Sequence, residues 1–128
     1  MIEQTLTALR EAIKDLLYQS ESDEPFEVVD WKNVAHFGSE TLLKGRKDIV
    51  AQVIPLEDFF KDLTEEKKWH GAEEKAAVKR YRKLKETINK HLADVKVFRI
   101  GKIEMDIFIV GKTKAGVWAG IKTKAVET

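Results

Sequence analysis

The chain has 128 residues, 23 Lys and Arg against 22 Asp and Glu, 43% hydrophobic residues and no cysteine. That is one domain's length with enough apolar material for a core, so a wholly disordered chain is excluded. Without cysteine there are no disulfides, thiolate metal sites or thiol nucleophiles, and a net charge of +1 favours no polyanionic partner overall. No run approaches the ~18 apolar residues of a membrane span. The acids within MIEQTLTALREAIKDLL are foreign to a secretory leader. The expectation is a soluble, cytoplasmic protein with no membrane partner.

Ile2, Leu6, Leu9, Ile13, Leu16 and Leu17 recur at helical spacing, with Glu3, Arg10, Glu11, Lys14 and Asp15 on the opposite face. Ser20-Glu21-Ser22-Asp23-Glu24-Pro25 then reads as a polar turn closed by proline. Residues 26–31 alternate Phe26 and Val28 around Glu27, which is a strand pattern. The stretch 32–50 has no clear period. Residues 51–54 read as a strand, and Leu56, Phe59, Phe60 and Leu63 as a short helix with Pro55 suited to its start. A polar connection over 64–71 carries Trp69. The strongest helix spans 72–92, with Ala77, Tyr81, Leu84, Ile88 and Leu92 as its apolar stripe. Its first turn holds Glu73 and Glu74 and its last Lys90 and His91, as the helix dipole prefers. After Asp94 the period falls to two. Residues 95–100, 103–110 and 117–124 read as three strands, with Ile103, Met105, Ile107 and Ile109 on one face of the middle one. Gly101 and the stretch 111–116 separate them, and such short connections imply antiparallel pairing. The sum is a single α+β domain over 1–128, a mainly antiparallel sheet covered by helices.

Little in this pattern carries catalysis. Gly111-Lys112-Thr113 looks like the end of a phosphate-binding loop, but Asp106 stands where that motif needs its first glycine. The segment also lies between two strands, so it reads as a hairpin turn. His36, His70 and His91 have no metal-ligand spacing, and Ser20, Ser22 and Ser39 stand in no nucleophile-elbow context. The expectation is a protein with no catalytic residues, no cofactor and no small-molecule substrate.

Three features point to binding instead. The long helix carries Lys75, Lys79, Arg80, Arg82, Lys83, Lys85 and Lys90 with only Glu86 opposed to them, a face able to hold phosphates or to be plain solvated helix. Residues 19–30 contain Glu21, Asp23, Glu24, Glu27 and Asp30 and no Lys or Arg. Such a segment repels nucleic acid and suits a cation or a basic protein surface, though it lacks the ligand order and glycine of an EF-hand loop. Trp69 lies outside any apolar period. It is either an exposed interface anchor or a ring tucked over the end of the long helix.

Together with Ser20-Glu21-Ser22, the run Pro25-Phe26-Glu27-Val28 resembles the loop-strand signature of the inhibitors of sugar-non-specific nucleases, the nuclease A inhibitor-like family. The resemblance continues in Asp58-Phe59-Phe60, in Trp69 followed by Glu73-Glu74, and from Arg99 to Asp106. It ends in Ala115-Gly116, Ala119-Gly120-Ile121, Thr123-Lys124 and Val126-Glu127-Thr128. The resemblance implies an α/β/α sandwich with an antiparallel sheet. It also implies a protein inhibitor that occludes the active site of a divalent-metal-dependent DNA/RNA endonuclease. Glu21 matches the acidic residue that reaches the metal held by the nuclease. Thr128 matches the terminal threonine, whose hydroxyl or carboxylate approaches the same site, and Trp69 a tryptophan packed at the interface. Asp23 and Glu24 extend the partner-binding surface. The metal belongs to the nuclease, so this chain itself has no metal site. The alternative reading is a nucleic-acid-binding or general protein-interaction module using the basic face of 72–92.

Overall fold

Met105, Ile107 and Ile109 alternate with Asp106, Phe108 and Val110, the pattern of a strand that meets different material on each face. In the computed structural model, which describes residues 2–19, 22–32, 34–44 and 49–126, that strand is the centre of the fold. The elements in chain order are α1 (Ile2–Ile13), β1 (Leu17–Gln19), β2 (Asp23–Pro25), β3 (Glu27–Trp31), α2 (Ser39–Leu43), β4 (Ala51–Pro55) and α3 (Leu56–Lys61). They continue with α4 (Ala72–His91), β5 (Ala93–Ile100), β6 (Glu104–Lys112) and β7 (Trp118–Val126). Five strands make one antiparallel sheet in the order β3-β7-β6-β5-β4, and β1 and β2 form a separate antiparallel hairpin.

Each face of the sheet has its own core. On one, Val97, Ile107, Ile109 and Ile121 lie in a cluster with Leu9, Phe60, Leu84 and Ile88 from α1, α3 and α4. On the other, Phe98, Ile100 and Val110 meet Leu42 of α2 and the rings of Trp31, Phe37 and Trp118. The expected sandwich therefore has one thick helical layer and one thin layer of short helix and aromatic loop. The periodless stretch after β3 folds because Phe37 packs against Trp31, Phe98 and Trp118 at centroid distances of 4.6, 5.3 and 5.9 Å. Trp118 Nε1 also donates to the Ala35 carbonyl at 3.2 Å. Among the described residues, no helix is long and apolar enough to cross a membrane.

The termini of the elements follow local chemistry, and several differ from the sequence expectation. The apolar stripe of α1 runs on to Leu17, yet the helix stops at Ile13. Asp15 takes a left-handed φ of 59°, Leu16 N–H donates back to Ile13 O at 3.0 Å, and Leu17 starts a strand. Of the expected turn at 20–25, residues 23–25 form strand β2, with Pro25 paired to Leu17 at the base of the hairpin. Ile103 does not share the buried face of β6. It precedes the strand and is 57% exposed. Gly111 is no turn residue either. It pairs with Ala119 inside the ladder, where a Cβ would lie 2.8 Å from the side chains of Leu92 and Val95. The β6–β7 turn begins at Thr113, whose N–H donates to Val117 O at 2.8 Å. Helix α4 matches its expected span, and Glu74 Oε2 accepts from the Gly71 N–H at 3.0 Å at its start.

The two faces of β6 give a direct test. Ile107→Ala removes a fully buried side chain and should cost about 2–5 kcal/mol in urea unfolding, whereas Ile103→Ser should stay within about 0.5 kcal/mol. Equal shifts for the two would mean that the face assignment of β6 is wrong.

Candidate functional site

The acid-only segment is built as a hairpin clamped to the thick side of the core. Leu17, Tyr18 and Gln19 pair with Pro25, Glu24 and Asp23. Tyr18 is buried, stacks on Phe59 at 5.7 Å and meets the edge of Phe26 at 6.2 Å. Phe26 in turn meets Tyr81 of α4 at 6.4 Å. Two polar contacts complete the clamp. Tyr81 O–H donates to the Leu17 carbonyl at 2.6 Å, and Thr123 Oγ1 donates to the Pro25 carbonyl at 2.9 Å. Burial, reinforced by neighbouring Tyr18 and opposed by Arg80, pushes the Tyr81 phenol well above its ordinary range. It is therefore a fixed donor at neutral pH.

Register determines what stands beside this hairpin. Glu27 pairs with Lys122, so the residues before Glu27 run past Thr123 and Lys124 toward Val126. Val126 pairs with Glu104 and Lys124 with Asp106. A shallow groove is accordingly lined by Glu24, Glu104, Asp106, Lys124 and Val126. Glu27 is held by Lys122 at 3.7 Å. Asp23 is exposed and Glu24 half-buried. Glu21 and Thr128 lie outside the described residues. Val126, the last described residue of β7, pairs with Glu104 at this end of the sheet. Glu104 and Asp106 escaped the sequence reading because nothing but strand register brings them beside residues 23–25. Thr123 carries a faint sequence signal, a threonine at an inward position of an otherwise apolar alternation.

Trp69 occupies the loop before α4 and is 72% exposed, which rules out a ring tucked over the helix end. The loop is closed on itself. His70 N–H donates to Lys67 O at 3.0 Å, His70 Nδ1 accepts from Lys67 N–H at 3.2 Å, and the His70 ring meets the indole edge-on at 4.4 Å. Helix α4 reverses directly into β5 at Leu92. Its N-terminal end, with the Trp69 loop, therefore points toward the same end of the sheet as the hairpin. The contact of Tyr81 with the hairpin base fits that direction.

Three cations of the basic face of α4, Arg80, Arg82 and Lys85, are engaged within the chain. Arg80 donates to the carbonyls of Ala12 and Lys14 at the end of α1. Arg82 Nε donates to Thr64 O at 2.8 Å, and Lys85 pairs with Glu57. Arg80 and Arg82 thus close helix and loop ends, and part of the basic face has partners within the chain. Among the described residues, no group of three His, Asp or Glu is arranged to hold a metal ion.

The family model of NuiA, nuclease A inhibitor-like protein, matches residues 3–128. No curated protein matches the chain.

Tyr81→Phe keeps the ring and deletes the clamp to Leu17. The expected cost is about 1 kcal/mol, with faster amide exchange in β1. Because the folded pKa is raised, the Tyr81 contribution is complete below the unfolded value of about 10 and is lost as pH rises above it. The stability gap between wild type and Tyr81→Phe should therefore narrow in unfolding experiments above pH ~10.

Proposed function

The chain belongs to the nuclease A inhibitor-like family, whose members are inhibitors and not enzymes, and we propose that it blocks a sugar-non-specific, divalent-metal-dependent DNA/RNA endonuclease in the cytoplasm. In this reading the hairpin enters the nuclease active site. Glu21 offers its carboxylate to the nuclease-bound metal, Thr128 supplies further oxygen atoms, and Trp69 packs against the rim, with Asp23 and Glu24 facing basic groups. The inhibitor forms and breaks no bond. It excludes substrate.

The chemistry is complementary. A nuclease site attracts a polyanion and holds a hard cation whose preferred ligands are oxygens. A carboxylate placed where a scissile phosphate would bind satisfies both demands. An acidic loop also steers the encounter with a basic cleft, raising the association rate more than the final affinity. A standard interface of this kind buries about 1,600 Å² in total, which a hairpin tip alone cannot supply. Contacts such as Trp69 are needed around it. The observation that carries the reading is the clamped, acid-only hairpin at the end of the sheet where β7 reaches Val126. The support lies directly under Asp23 and Glu24, the described acids of this segment.

The test is an inhibition titration of magnesium-dependent sugar-non-specific nucleases with untagged protein. Stoichiometric inhibition is expected. Glu21→Gln should weaken it at least about 30-fold and Trp69→Ala about 10-fold or more, with melting temperatures unchanged. Equal potency of wild type and Glu21→Gln would remove Glu21 from the metal. The association rate should also fall as salt rises, because acidic steering is screened beyond about 10 Å at 0.1 M ionic strength.

A further inference from the structure

Some large apolar side chains of this protein stand exposed. Among the described residues they are Leu17, Val50, Val53, Trp69 and Ile103. Single exposed apolar residues are ordinary, but Ile103 has a setting that asks for an explanation. It is 57% exposed, β-branched, and placed in the short connection between β5 and β6, where polar turn residues are usual.

That connection is rigid. Gly101 adopts a φ of +116°, and an added Cβ would lie 2.4 Å from the Glu104 carbonyl oxygen. Its N–H donates to Val50 O at 2.8 Å, which ties the turn to the segment entering β4. Val50 is itself 41% exposed. Ile103 is thus presented on a turn tied through Gly101 to the segment that carries Val50. It stands one residue beyond the Glu104–Val126 pair, so it flanks the groove lined by Glu24, Glu104 and Asp106.

We infer that the β5–β6 turn, with Ile103 as its apolar anchor and Val50 on the segment tied to it, is a second contact through which this chain grips the nuclease. This rests on the function proposed above. Charge complementarity selects the occupant. Glu24, Glu104 and Asp106 outnumber Lys124 along the groove between hairpin and turn, so its balance is acidic, and a cleft built for polyanions presents basic groups opposite it. An apolar anchor next to such a surface fits the general anatomy of interfaces, a desolvated apolar contact adjoining charged rim residues. Trp69 on the loop before α4 and Ile103 on the turn after β5 would then be two apolar contacts beside the acidic ones.

The experiment compares inhibition constants of wild type, Ile103→Ala, Ile103→Asp and Val53→Ser against one nuclease that wild type inhibits. Val53 is 52% exposed in the middle of β4, away from the turn, and serves as the control. Ile103→Ala should weaken inhibition about tenfold and Ile103→Asp about a hundredfold, mainly through faster dissociation. Val53→Ser should leave the constant unchanged. Circular dichroism melts should be unaltered in all three, since neither position is buried. Unchanged inhibition by both Ile103 variants, with wild type active and Glu21→Gln impaired, would overturn this contact alone. An equal loss in Val53→Ser would overturn it as well, by showing that any exposed apolar change suffices. Wild type that inhibits no such nuclease would overturn the proposed function and this contact with it.

Discussion

Ile107 and Ile109 face the helices α1, α3 and α4, while Phe108 and Val110 face α2 and the aromatic loop. A slip of one residue in β6 would exchange these two sets and place wrong shapes in both cores. The registers of β5 and β7 against β6 are fixed by this one requirement, and β3 and β4 follow at the edges. Everything proposed for binding hangs from that register. It decides that Glu104 lies opposite Val126 and that the β2 segment passes beside Thr123.

The hairpin shows how a polar, charged segment can be kept in one place. Two three-residue strands have too little burial to hold themselves. Tyr18 supplies a buried ring between Phe26 and Phe59, and the Tyr81 and Thr123 hydroxyls satisfy carbonyls that strand pairing leaves open. Asp23 and Glu24 are thereby carried on a supported strand.

Charge counting along α4 treats its cations alike, and packing gives Arg80, Arg82 and Lys85 partners within the chain. Arg80 and Arg82 turn sideways to carbonyls at the ends of neighbouring segments. Helix and loop ends leave carbonyls without partners, and a long guanidinium stem can reach them while its charge stays near water. Sequence alone lists the cations of a helix face but does not say which are already engaged.

Local pattern determined much of this protein. The period-two alternation of β6 and β7, the stripe of α4 and the dipole-matched ends of that helix all follow from neighbouring residues, and they suffice for an α+β domain with an antiparallel sheet. The acid-only run and Trp69 were also legible, because composition and broken periodicity need no partner to be seen. Tertiary structure decided the rest. Leu16 and Leu17 continue the stripe of α1, but Asp15 in a left-handed conformation turns the chain into the hairpin. Ile103 fits the alternation of β6, but the Gly101 turn leaves it in solvent. Whether Trp69 would be buried or presented depended on the closure of its loop by His70. In each case the deciding contact comes from the turn geometry or the three-dimensional packing, which hydrophobic periodicity does not encode.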